Sequence, residues 1–287
     1  MKIRFWGVRG SIASPGPLTD EHGGNTSCVE VIDGDRSIIL DAGTGIRDLG
    51  NEILKNHQGG RKEIVLFLSH FHIDHLCGLP FFRPLYQPGM NLRIYGPKGF
   101  GKSLRAILAS FFSQEFFPVP LSKLPAKLNL NLLGEQTVDC PPFRIASFFI
   151  NHPGRTLGYV VTSGKRRIAY LCDHEPVLQY RHLKKGTADG YQRRLARRLQ
   201  GMDLLIHDAQ FTDHQYPLYK GWGHSPWSYP VRLAESAGVK RLVLFHHAPE
   251  NDDRHLAQAF SSLKRELKRR GSRVVVTMAR EGKTVSL

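Results

Sequence analysis

Within the six residues His70-Phe71-His72-Ile73-Asp74-His75 the chain places three imidazoles and a carboxylate. They follow directly on Ile64-Val65-Leu66-Phe67-Leu68, an apolar run of strand length and composition. Loops at strand ends are where rigid scaffolds carry binding and catalytic groups. These donors suit a borderline-soft divalent ion, zinc before manganese or iron, since zinc takes histidine nitrogen at about 2.0–2.1 Å and carboxylate oxygen at similar range. One tetrahedral ion cannot easily use all four from so short a loop.

More ligand-type residues close other strand-like runs: His152 after Phe143 to Ile150, Asp173 after Arg167 to Cys172, and the pair His246-His247 after Leu242 to Phe245. A lone histidine is usually a satisfied core or surface residue. Repeated placement at strand ends instead gathers these side chains at one edge of the sheets.

Further strand-like runs are Ile3 to Trp6, Cys28 to Val31, Ser37 to Leu40, Leu92 to Tyr95, Gly158 to Thr162, Asp203 to Ile206 and Arg273 to Thr277. Helical spacing recurs over Gly99 to Phe112, Tyr191 to Gln200, Pro226 to Ala237 and Asp252 to Arg270. Early strands arrive in near-succession and later ones alternate with helices, which predicts an α/β fold of two mixed sheets with helices outside. With 287 residues, 41% hydrophobic and 23% charged, a single domain over residues 1–287 is expected.

No apolar run reaches the roughly 18 residues of a membrane span, and Met1-Lys2-Ile3-Arg4-Phe5-Trp6 alternates like a strand, so a cytoplasmic protein without a membrane partner is expected. Cys28, Cys77, Cys140 and Cys172 are scattered, as free buried thiols would be. The net charge of +15 would attract polyanions, either a phosphate-bearing small substrate or RNA. Residues 181–200 set Arg181, Lys184, Lys185, Arg193, Arg194, Arg197 and Arg198 against Asp189 alone, which reads as a solvated helix face or a nucleic-acid contact. Phe100, Phe111, Phe112, Phe116 and Phe117 read as a core helix, a lid, a contact between subunits of a homodimer, or an aromatic wall that stacks a nucleobase.

His70-x-His72-x-Asp74-His75, followed in order by His152, Asp173 and His246, resembles the signature of the metallo-β-lactamase superfamily. The resemblance implies an αββα sandwich and two divalent ions. It implies that His70, His72 and His152 hold one ion, that Asp74, His75 and His246 hold the other, and that Asp173 bridges them. His247 could replace His246 after a one-residue slip. Asp41, in Leu40-Asp41-Ala42-Gly43, would orient ligands from behind.

Leu205-Ile206-His207-Asp208-Ala209-Gln210 and Gly223-His224-Ser225 resemble paired motifs of the branch containing tRNA 3′-end processing endoribonucleases and small phosphodiesterases. There the roles of proton donor and its acidic orienting partner would fall to His224 and Asp208. Aspartate, one methylene shorter, stands where the RNA-processing family usually has glutamate, which questions the reach of that bond. The opening Met1 to Ser11 and Gly23-Gly24-Asn25-Thr26-Ser27-Cys28 resemble a bacterial subgroup described as class III-like cyclic nucleotide phosphodiesterases. The expected activity is therefore phosphodiester hydrolysis of a small, cyclic nucleotide, with an RNA-cleaving, tRNA 3′-processing enzyme as the alternative. Asp74, His224 and Asp208 would carry the chemistry: bound ions lower the pKa of water so that hydroxide attacks phosphorus, and His224 protonates the leaving oxygen.

Overall fold

A computed structural model describes residues 1–55, 63–177 and 187–287. The first six strands, β1 (Lys2–Gly7), β2 (Cys28–Asp33), β3 (Arg36–Leu40), β4 (Glu63–Phe67), β5 (Asn91–Pro97) and β6 (Lys127–Leu133), lie side by side in one sheet. The next seven form a second: β7 (Gln136–Cys140), β8 (Phe143–Ile150), β9 (Thr156–Ser163), β10 (Arg166–Leu171), β11 (Leu204–Asp208), β12 (Arg241–Phe245) and β13 (Val275–Met278). The last strand, β14 (Thr284–Ser286), returns to pair antiparallel with β1 at the edge of the first sheet.

Each sheet changes character part-way. The first is antiparallel up to the β2–β3 pair and parallel from β3 through β6. The second is antiparallel from β7 to β10 and parallel from β10 through β13. Because β8 and β10 are both antiparallel to β9, the C-terminal ends of β8, β10, β11 and β12 share one edge.

Strand alternation supplies the layers. Ile38, Leu40, Val65 and Phe67 of the first sheet meet Tyr159, Tyr170, Ile206, Val243 and Phe245 of the second between the sheets. Their neighbours Ile39, Leu66 and Leu68 face outward onto helices α1 (Ile46–Lys55) and α2 (Leu104–Phe111). Ala169, Leu171, Leu205, Leu242 and Leu244 likewise face α3 (Thr187–Arg198), α4 (Ser228–Ala237) and α5 (Asp253–Arg269). Each sheet thus buries both faces, giving the αββα sandwich. Phe245, fully buried and next to His246, is expected to cost about 3–5 kcal/mol of stability when replaced by alanine, measured by denaturant unfolding of the chelated protein.

Several elements differ from the sequence reading. The helix expected from Gly99 begins at Leu104, because Gly99 and Gly101 hold φ of 113° and 65° and Ser103 caps the first turn by accepting from Ala106 N. Strand β6 has the strand period in Leu128-Asn129-Leu130-Asn131-Leu132, and β7, β14 and α1 also join the expected elements. The cysteines are unpaired, three buried and Cys77 half-buried. No helix among the described residues is long and apolar enough to cross a membrane. Of the basic stretch, Arg181, Lys184 and Lys185 lie outside the described residues, while Arg193, Arg194, Arg197 and Arg198 are exposed on α3.

Candidate metal centre

The strand ends of both sheets converge on one polar cluster. His70 and His72 follow β4, His152 follows β8, Asp173 follows β10 and His246 follows β12. Asp41, Asp173 and His246 hold φ of 63°, 55° and 65°, a left-handed conformation that non-glycine residues rarely adopt. All three sit within two residues of a strand end in the cluster, where such strain concentrates in functional sites.

The donors fall into two sets. In the first, Nε2 of His70 and of His152 lie 3.4 and 3.7 Å from Asp173 Oδ2, and His152 Nε2 lies 3.2 Å from His72 Nδ1. In the second, Nε2 of His75 and of His246 each lie 3.1 Å from Asp173 Oδ1, and 3.3 and 3.2 Å from Asp74 Oδ2. Ligands spaced around one tetrahedral ion at bonds of about 2.0–2.1 Å stand about 3.3 Å apart. The donor separations match that spacing, and Asp173 presents one oxygen to each set. Nε2 of His70 and of His75 are buried without a hydrogen-bond partner, as metal-facing nitrogens would be. The residues therefore fit a pair of ions.

Charge agrees with that fit at three of the histidines. Burial, then His75, holds His70 well below the usual histidine range, and burial also lowers His72 and His152, so these imidazoles are neutral and available as ligands. His75 runs the other way: burial opposes its charge, but Asp173, Asp74 and Asp41 draw positive charge to it and raise its pKa well above 6.5.

Behind the donors a second tier fixes their rings. Asp41 Oδ2 accepts from Ser69 Oγ and Tyr170 OH at 2.9 and 2.7 Å and lies 2.9 Å from His75 Nδ1, which sets that ring's tautomer. Ser69 Oγ stands 3.0 Å from His70 Nδ1. His152 Nδ1 donates to the Gly223 carbonyl at 2.8 Å, and Gly223 itself could carry no side chain, since a Cβ there would meet the His152 ring. Ser11 N donates to Asp74 Oδ2 at 2.8 Å. Glu175 accepts from Tyr216 OH, Gly221 N and Gly223 N at 3.0, 2.7 and 3.0 Å, tying down the loop that carries Gly223. Sequence reasoning missed Ser11, Ser69, Tyr170 and Glu175; only Ser69 and Glu175 offered a signal, each within two residues of a predicted ligand. Asp41→Ala is expected to weaken metal affinity about 10–100-fold, measured by competition with a chromogenic chelator.

His224 lies against this cluster, its ring stacked on His246 at 5.1 Å. Its Nδ1 is 2.7 Å from Asp208 Oδ2, so the aspartate reaches despite its shorter side chain, and Nε2 remains for a substrate. Asp208 also accepts from the backbone N–H groups of Gln210, His174 and Ser225. Burial works against a charged His224, but Asp208 and then Asp173 raise its pKa to about 9. The adjacent His247 turns away, its Nε2 donating to the Ala279 carbonyl at 3.1 Å.

The model of the family described as "Beta-lactamase superfamily domain" matches residues 36–247, the greater part of the chain. The chain belongs to the beta-lactamase superfamily. Of curated relatives, Ribonuclease Z of Gemmatimonas aurantiaca is 27% identical over 240 residues, covering 69% of this chain and 74% of its own. Of solved structures, human tRNase Z, short form, superposes with a TM-score of 0.64 at 21% identity, over 100% of this chain and 99% of its own. Yeast PDE1 gives 0.70 at 15% identity, over 100% and 99%. These likenesses to solved structures carry the superfamily's fold.

Proposed function

We propose that this superfamily member is a dinuclear metal-dependent phosphodiesterase that cleaves RNA. The observation that carries the phosphodiesterase part is the His224–Asp208 pair seated beside two donor sets that share Asp173. Similarity to proteins named Ribonuclease Z across most of the chain, together with the +15 charge, favours RNA over the cyclic mononucleotide expected from the opening residues. His70, His72, His152 and Asp173 would hold one ion, Asp74, His75, His246 and Asp173 the other, with zinc the best match to the donors. When bound, two such ions supply Lewis acidity and lower the pKa of water towards neutrality.

The chain's own groups do the rest. Asp41 and the Gly223 carbonyl orient His75 and His152, so the donors converge without rearrangement. Asp208 holds His224 protonated on Nδ1, which leaves Nε2 to donate to the leaving oxygen. The test compares turnover of a precursor tRNA with that of a cyclic mononucleotide, each with and without a chelator. Chelator-sensitive RNA cleavage is expected; hydrolysis of the cyclic nucleotide alone would return the activity to the small-substrate reading.

A further inference from the structure

Between Asp74 and Glu115 the chain contains no acidic residue, while it carries Arg83, Arg93, Lys98, Lys102 and Arg105. Most of that excess sits where β5 leaves the first sheet. The loop Lys98-Gly99-Phe100-Gly101-Lys102-Ser103 runs from β5 into α2, and Lys98, Lys102 and Arg105 are exposed. None of them has a carboxylate partner among the described residues, unlike Arg198 of α3, which pairs with Glu135 at 3.0 Å.

Two contacts tie this loop to the metal centre. Phe100, 40% exposed, sets its ring 5.2 Å from that of Phe71, the residue between His70 and His72. On the other flank Gly99 lies against the Arg155 side chain, and Arg155 follows His152 by three residues. The guanidinium of Arg155 is held over the Phe149 ring at 5.2 Å, which limits its rotamers, and it has no carboxylate partner among the described residues. The remaining phenylalanines of this region behave differently: Phe112 is in the core, Phe111 and Phe117 pack against it, and Phe116 is 80% exposed with no ring partner among the described residues. Phe100 is therefore the aromatic of that region whose ring touches the metal-motif loop.

We propose that Lys98, Phe100, Lys102 and Arg155 form a subsite for a nucleotide flanking the scissile phosphodiester, the cations on its phosphates and Phe100 stacked on its base. The subsite rests on the RNA-cleaving reading above. A charged rim beside an exposed ring is how single strands are held without base-specific contacts: the cations follow the backbone, and a ring stacks on any base. The glycines at 99 and 101 let the backbone turn with positive φ, and Phe100, Lys102 and Lys98, whose side chain runs past Gly134, are all exposed on this short loop.

The experiment measures binding of a fluorescein-labelled octamer of 2′-O-methyluridine to the metal-loaded full chain over a range of salt. A Lys98→Ala/Lys102→Ala/Arg155→Ala variant is expected to bind 10- to 100-fold more weakly and to reduce the slope of log Kd against log salt by about 2, since each single-strand phosphate contact contributes about 0.7. Phe100→Ala is expected to weaken binding about tenfold with the slope kept, and Phe100→Trp to restore it. Melting temperature and metal content, measured on each variant, identify a folding defect; the Phe100→Trp variant keeps the test decisive if the alanine variant misfolds. Unchanged affinity and slope in the variants, with wild-type cleavage of RNA intact, would overturn the subsite alone. A wild-type protein that neither binds the octamer nor cleaves RNA would overturn the subsite and the RNA reading together.

Discussion

Replacing His224 by alanine is expected to lower turnover of an unactivated phosphodiester about 10²–10⁴-fold while leaving the metal content unchanged, because the side chain is placed to deliver a proton and its Nδ1 is committed to Asp208 at 2.7 Å. A p-nitrophenolate leaving group is stable as an anion, so bis(p-nitrophenyl) phosphate should suffer less. Asp208→Asn should copy the defect weakly. The pH profile carries the same sign. An acid works while protonated, and His224 is raised from its ordinary 6.5 to about 9, so activity is present below that value and is lost as pH rises through it. Bound cations oppose protonation, which places the alkaline limb at or below about 9; Asp208→Asn removes a raising charge and should move it further down. His224 also belongs to a group with Asp173, Asp208 and His246 whose donor atoms lie within 4.8 Å of one another. Loss of an ion from His224→Ala would therefore make it a ligand, and equal slowing of both substrates would make it a phosphate-positioning group.

For Asp173→Ala the expected loss is of another kind. Its two oxygens face different donor sets, Oδ2 towards His70 and His152 and Oδ1 towards His75 and His246. Removing it should empty both sites, lowering activity on either leaving group by about 10³-fold or more, the scale of several kcal/mol of lost Lewis-acid stabilisation. His72→Ala should weaken one site alone. Metal content by elemental analysis separates the cases: full occupancy in Asp173→Ala would rule out the shared carboxylate.

The sequence determined by itself the donor types, their positions after apolar runs, and the layered fold, because alternation along a strand and the turn that ends it are local properties of consecutive residues. Sorting side chains inward and outward needs nothing beyond the period of two, as Ile38 and Leu40 against Ile39 show. Which partners those donors meet was not local. His246 and His247 are adjacent and chemically identical, and only the left-handed φ of His246 at the end of β12, with its neighbour bound to Ala279, sends one ring to the cluster and the other away. The split of Asp173 between two donor sets depends on residues about 100 positions earlier and about 70 later, brought together by the common edge of the two sheets. Tyr170 is ordinary in sequence, and its role arises from a contact with Asp41 that no periodicity records; Glu175 stands near Asp173 in sequence, but its contact with Gly223 is equally non-local. Tertiary structure decided these pairings because a hydrogen bond or a shared ion demands sub-ångström placement, which packing of the whole sandwich supplies and a local pattern cannot.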